Sequence, residues 1–357
     1  MRVALALEPL DLLFFRDGRP FEAGIRVGAT TIFPQTLAGA LRTALLERAG
    51  CDFDALARAA RKGKSFAQAL AEQSTDLAVI ATISVGGPWF LRNGQPLVPA
   101  PASLLHTDEN KIVRLAPLRE PQPGREPLPG WSPEAPGMLP LWTCSRGKTE
   151  RLSGYLTLDG VARFLGGGEP TTEQILQPTA LFETDTRTGI VVGAETLTVE
   201  TGMIYSAEYL ALKPGVSLYA ELFGPEPALA EAFANETAIP LGGQNRYVRV
   251  RRLSAPVEWP RQEGGGAGLL LLLTTPAPFA ARWRPPDVNL VTAAVPGHVA
   301  VSGWDLARAG PKPTRFAVQA GSVYFCRDPT PDPESLCDGE DALLGWGRFL
   351  RGIWNYA

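Results

Sequence analysis

The sequence predicts an α+β chain of two tandem β-α-β-β-α-β halves, the first interrupted by a long Pro- and Gly-rich insertion. Three observations carry that expectation. Val3 to Leu7 is a short apolar run that leads, after a polar loop, into a helix beginning at Pro34. Residues 188–223 have strand patterning, with apolar and polar residues alternating in Met203 to Leu212 and again in Val216 to Phe223. From Gly268 onward a similar order of patterns returns in a shorter, looser form. The first half is placed at 1–255, with its insertion at about 96–180, and the second at 256–357.

In chain order, the first strand opens into a loop holding Arg16, Asp17, Gly18, Arg19 and Pro20, flanked by Phe14, Phe15 and Phe21. The phenylalanines are expected to anchor that loop to the core. Pro34 suits a first helical position, where its missing N–H costs nothing. Leu37, Leu41, Ala44 and Leu45 recur at helical spacing, and Gly50 stands where a helix C-terminus favours glycine. Residues 52–76 read as a second, Ala-rich helical stretch. The strand-like run 79–92 carries Gly86-Gly87-Pro88, which suggests a hairpin. From Pro96 to about Gly168 proline and glycine are dense, which predicts extended loops and small hairpins without a separate core. Residues 171–187 read as a short helix and a loop. The stretches 203–212 and 216–223 read as adjacent antiparallel strands joined by Lys213-Pro214-Gly215. A short helix at 225–234, two glycines and a basic strand complete the half. The second half repeats these endings: strands at 268–279, 294–306 and 314–327, then a helix end, a Gly turn and a final strand.

Composition sets limits on function. The 357 residues are 45% hydrophobic with a net charge of −3, so a core is assured and a generally basic polyanion binder is excluded. Nucleic acid, if bound, must meet local basic faces. Arginine makes up 28 of the 34 cations, which suits bidentate phosphate contacts but also fits codon bias or a warm habitat. Cys51, Cys144, Cys326 and Cys337 form no C-x-x-C pair, and His106 and His298 are the two histidines, so neither zinc nor another metal or cofactor is expected. The apolar run Leu269–Leu273 is too short to span a bilayer, and no leader pattern follows Met1. A soluble cytoplasmic chain with no membrane contact is the expectation.

The strongest chemical signal lies at residues 241–252, LGGQNRYVRVRR. Between Leu241 and Pro256 stand Arg246, Arg249, Arg251 and Arg252 and no acid. On a strand Tyr247, Arg249 and Arg251 share one face, while Val248 and Val250 face the core. An aromatic beside two guanidinium groups suits unstacked RNA, with phosphates on Arg and a base on Tyr. Gly242 and Gly243 allow backbone N–H groups to approach a phosphate. The other reading is a solvated edge strand. A second basic cluster holds Arg308, Lys312 and Arg315 against Asp305, stiffened by Pro311 and Pro313; Trp304 beside it is expected in the core. By contrast, 328–341 holds six acids and no base, so it cannot lie on a phosphate backbone. His106 and His298 lack an evident base-and-orienter partner, so no catalytic residue is assigned.

The stretches LEPLDLLFFRDGRPFEAG, FPQTLAGALRTALL, PLGGQNRYVRV, SGWDLARAGPKPTRFAVQAGSVYF and LLGWGRFLRGIW resemble, in order and spacing, the third subunit of type III-B (Cmr) CRISPR effector complexes, in the RAMP superfamily. The resemblance implies two ferredoxin-like (RRM-like) domains, each with a Gly-rich loop, here Gly242–Gly243 and Gly345–Gly347. It implies a ribonucleoprotein subunit of antiviral defence that grips the 5′ handle of the CRISPR RNA without cutting it. It further implies docking to the large polymerase-like Cmr subunit and to a backbone RAMP subunit. The candidate RNA-binding set is Arg16, Arg19, Arg42, Gly242, Gly243, Gln244, Arg246, Tyr247, Arg249, Arg251, Lys312 and Arg315. The alternative is a metal-independent RAMP endoribonuclease that processes CRISPR RNA. Some relatives of that kind carry a histidine near the first helix, and residues 8–46 hold none.

Overall fold

The computed structural model describes residues 1–15, 26–27, 32–119, 128, 130–145, 147–192, 198–305, 310–327 and 334–357. It is an α+β chain with several antiparallel sheets. It divides into two compact units that interleave along the sequence: 1–88 with 181–256 and 300–316, and 89–180 with 257–299 and 317–357.

In the first unit the strand Arg2–Pro9 lies between Val216–Phe223 and Tyr247–Arg252, antiparallel to both. Thr237–Pro240 borders Tyr247–Arg252, and Ser84–Arg92 neighbours Val216–Phe223. Val3 through Leu7 are buried without a break, as a strand covered on both faces must be. The helix Pro34–Arg48 has proline at its start and buries Leu37, Ala38, Leu41, Leu45 and Leu46. Gly50, at φ 72°, ends it.

Three local expectations need correction. The Ala-rich stretch is three short helices, Phe53–Arg61, Phe66–Ala71 and Thr75–Ala81. Asp52, Ser65 and Ser74 each accept a backbone N–H at a new helix start, and such caps interrupt a helix as readily as they begin one. The strand Ser84–Arg92 runs straight through Gly86-Gly87-Pro88; the hairpin turns instead at Asn93-Gly94, with φ of 52° and 76°, and pairs Arg92 with Gln95. Val199–Leu212 pairs with Phe182–Val192 in a long hairpin, from Phe182 opposite Leu212 to Ile190 opposite Ile204. It does not pair with Val216–Phe223, which takes the first strand as its neighbour.

The second unit contains a sheet in the order Leu290–Ala294, Val323–Cys326, Gly268–Leu273, Phe349–Trp354. Residues 96–180, read in the sequence as an insertion without a core, group with this sheet. Val98, Leu104, Leu156, Val161, Phe164 and Leu165 share one buried cluster with Leu270, Leu272, Val291, Phe325 and Trp354. The helix Leu158–Leu165, capped by Thr157, lies on the last strand at Gly352. A Cβ on Gly352 would come within 2.7 Å of the Leu165 carbonyl oxygen, so glycine is what permits the close approach. Arg114 joins helix and strand, donating to the carbonyls of Phe164 (2.9 Å) and Ile353 (3.3 Å) while stacking over the Phe164 ring. Burial pushes its guanidinium down to about 10, and it stays charged at neutral pH.

Candidate nucleic-acid interface

The strand Tyr247–Arg252 alternates as its sequence requires. Val248 and Val250 are fully buried, Arg249 and Arg251 are exposed, and Tyr247 is 44% exposed. An aromatic ring and two guanidinium groups therefore stand on one solvent-facing surface. Each of the three arginines of residues 246–251 faces a carboxylate. Arg249 Nε is 3.1 Å from Glu236, Arg251 is 3.7 Å from Glu8, and Arg246 is ion-paired with Asp11. Glu8 lies directly opposite Arg249 in the strand register. The window that is +4 along the sequence is thus largely compensated in space: Glu8 and Asp11 come from more than two hundred residues away, and Glu236 from just before the neighbouring strand. Arg252, at the strand's end, is occupied by the carbonyls of Leu229 and Ala230.

The preceding loop has a different use from the one its glycines suggest. Gly243 N–H donates to the carbonyl of Phe14 at 2.8 Å, so that N–H is not offered to a phosphate. Gly242 is at φ 85°, and a Cβ there would lie 2.4 Å from the Phe14 oxygen. The two glycines exist to let Phe14 and Phe15 pack against the loop. Both phenylalanines are buried, which is the anchoring role expected of them. Gln244 and Asn245 follow, both with positive φ.

A node that sequence reading missed lies beside this loop. Tyr209, on the long hairpin, is nearly buried and donates its hydroxyl to Gln244. The Phe14 ring is 5.2 Å away, and the guanidinium groups of Arg246 and Arg187 are each 5.1 Å from the Tyr209 centroid. Arg246 and Gln244 fix the hairpin root to the Gly-rich loop, while Arg187 reaches the same ring from the hairpin's other strand. The available signal was strand alternation continuing back to Phe182, which places Arg187 on a strand.

Arg42 leaves the candidate set. It is 5% exposed, donates to the Ile83 carbonyl at 2.8 Å and lies over Phe66. It is an internal clamp on the first helix. Arg16 and Arg19 lie outside the described residues, as do Arg308 and acids 328–333. Lys312 and Arg315 are exposed. Trp304, expected in the core, is 53% exposed on the short hairpin Trp304–Asp305 with Gly310–Pro311. That hairpin is held by Gln35, which donates to the Ser302 carbonyl, and by Ser302, which donates to the Lys312 carbonyl.

The Gly345–Gly347 loop is sealed by its own unit. Trp346 is buried, Ser335 donates to its carbonyl at 2.6 Å, and Leu336 N–H takes the Gly347 carbonyl. A Cβ on Gly347 would come within 2.7 Å of Cys337 Sγ. Among the described residues no group of His, Cys, Asp and Glu is arranged to hold a metal, and no helix is long and apolar enough to cross a membrane.

The family model described as CRISPR-associated protein (Cas_Cmr3) matches residues 5–354. The chain belongs to the Cas_Cmr3 family. The resemblance carried by its five motifs to the third Cmr subunit is thereby borne out. Two solved structures share the fold of this Cas_Cmr3 member. One is a chain of the type III-B Cmr-beta bound to cognate target RNA, with a TM-score of 0.52 and 16% identity over 91% of this chain and 86% of that one. The other is a chain of the same assembly bound to cognate target RNA and AMPPnP, with a TM-score of 0.51 and the same identity and coverage. No curated protein matches.

Proposed function

We propose that this Cas_Cmr3-family chain is a non-catalytic RNA-binding subunit of a type III-B effector complex. In this reading it grips the 5′ handle of the CRISPR RNA in the cytoplasm and docks to the large polymerase-like subunit and a backbone RAMP subunit. The observation that carries the reading is the exposed Tyr247–Arg249–Arg251 face in a chain of this family. Such a face offers guanidinium groups to phosphate and a ring to a base, and it needs no unwound groove. The Trp304 hairpin, with Lys312 and Arg315, supplies a second aromatic and basic surface.

The fold supports the reading. Two runs of four strands lie in the spatial order second, third, first, fourth: 84–92, 216–223, 2–9, 247–252, and then 290–294, 323–326, 268–273, 349–354. That is the order of a ferredoxin-like sheet. The second unit takes a helix from residues 158–165 to cover it.

Binding and cleavage are separated by incubating the purified chain with handle-containing RNA in EDTA. The expected result is a retarded, intact RNA, with affinity lowered about tenfold in Arg249→Ala/Arg251→Ala. Defined cleavage products would favour the ribonuclease alternative, and unchanged affinity in the double variant would remove this face from the interface.

A further inference from the structure

The three carboxylates that meet the arginines are the feature the sequence did not suggest. They come from separate places: Glu8 near the end of the first strand, Asp11 in the loop after it, and Glu236 just before Thr237–Pro240. Their partners lie within six consecutive residues, Arg246 to Arg251. Glu236 and Arg249 are 53% and 48% exposed, and Glu8 and Arg251 are 44% and 52% exposed. Ion pairs this open to water add little to folding stability, so stability does not explain the two on Arg249 and Arg251. The third is more sheltered, with Arg246 18% exposed and Asp11 59% exposed.

We propose that Glu8, Asp11 and Glu236 are specificity-determining residues, intramolecular counterions that a correctly placed RNA backbone must displace. The inference rests on the RNA-binding reading of the Tyr247–Arg249–Arg251 face. A phosphate that takes an arginine leaves the former partner carboxylate a few ångströms away, where it repels the incoming charge. A generic polyanion meets that repulsion at every contact and has no compensating fit. An RNA whose base stacks on Tyr247 and whose phosphates are spaced to match three arginines gains enough contacts to overcome it. The acids thus lower affinity for all RNA and lower it most for RNA that touches the face only by charge. At a separation near 6 Å in water, each residual repulsion corresponds to about a threefold change in affinity, so three together reach tenfold or more.

The test compares wild type, Glu8→Gln/Asp11→Asn/Glu236→Gln and Arg249→Ala/Arg251→Ala by fluorescence anisotropy. The probes are a labelled handle oligonucleotide and polyuridine of equal length, at 50 and 200 mM salt. The carboxylate variant is expected to bind polyuridine at least tenfold tighter at low salt and to gain less on the handle. The gain should shrink at 200 mM, where screening is stronger. Unchanged or weaker polyuridine binding in a folded triple variant overturns the inference. If the triple variant does not fold, Glu236→Gln and Glu8→Gln alone are each expected to tighten polyuridine binding about threefold, and no change in either overturns it. A failure of the underlying reading looks different: Arg249→Ala/Arg251→Ala then matches wild type on both RNAs, which removes the basis for both proposals. Loss of affinity in the arginine variant without gain in the carboxylate variants sinks the specificity role alone.

Discussion

The amide of Gly243 donates to the carbonyl of Phe14 at 2.8 Å, closing the Gly-rich loop onto the segment that follows the first strand. The contact requires that position 242 carry no side chain. Alanine at Gly242 combines a positive φ with a Cβ 2.4 Å from a backbone oxygen, and neither atom can swing aside. Gly242→Ala is expected to destabilise the chain by about 2–4 kcal/mol. Gly243→Ala meets the edge of the Phe14 ring at 2.9 Å, which can shift, so its cost is expected to be smaller. Chemical unfolding of both variants checks the order. Equal stability of Gly242→Ala and wild type would show that the loop does not need its glycine.

Much of this was legible in the sequence, and the exceptions have physical reasons. Val248 and Val250 against Tyr247, Arg249 and Arg251 is a local alternation, and local periodicity survives into the structure. Glu8 and Asp11 meet their arginines through strand order, which no window around 241–252 contains. Glu236 lies five residues outside that stretch and is brought back by the pairing of Thr237–Pro240 with Tyr247–Val250. Asn93-Gly94 was a stronger hairpin signal than Gly86-Gly87-Pro88, because both of its residues must take positive φ. The helix Leu158–Leu165 was hidden by the surrounding proline, although Thr157 as cap and Val161, Phe164 and Leu165 at helical spacing marked it. Trp304 was misplaced because large aromatics are usually buried, and only the geometry of a two-residue ladder puts this one in water.

That exposure makes Trp304 a discriminating site. A ring standing on a hairpin stiffened by Pro311 and Pro313 contributes little to the core. Trp304→Ala should therefore leave the unfolding midpoint unchanged. If the ring stacks on an unpaired base, it should weaken single-stranded RNA binding by about 1–3 kcal/mol. Wild-type RNA affinity in a folded variant would remove Trp304 from the interface, and a large loss of stability would return it to the core.

The thiols give a test of the second unit. Cys326 sits between buried strands, and burial pushes its thiol from the usual 9.0 up to about 12, with Arg351 opposing. Cys144 is exposed. At pH 8 iodoacetamide should modify Cys144 early and Cys326 only after unfolding, as mass spectrometry of a labelling time course would show. The raised value also sets a direction for alkaline stability. The unfolded thiol ionises near pH 9 and the folded one near 12, so stability present below pH 9 is lost as pH rises from 9 towards 12. A Cys326→Ala variant should show a shallower loss over that window.

Arg42 decides between a binding and a structural use of a basic residue. A phosphate-binding arginine is exposed and replaceable at little cost to folding. Arg42 is buried, with its guanidinium donating to the Ile83 carbonyl at 2.8 Å and lying 5.8 Å from the Phe66 ring centroid. Removing it leaves a buried carbonyl without that donor and a void beneath the helix Pro34–Arg48. Arg42→Ala is expected to cost about 2–4 kcal/mol of stability. Arg42→Lys should restore only part of it, because an ammonium cannot reproduce the planar contact with the ring. At a temperature where both variants are folded, their affinity for handle RNA should equal that of wild type. Weakened binding with an unchanged melting curve would reverse the assignment and put Arg42 back on the RNA.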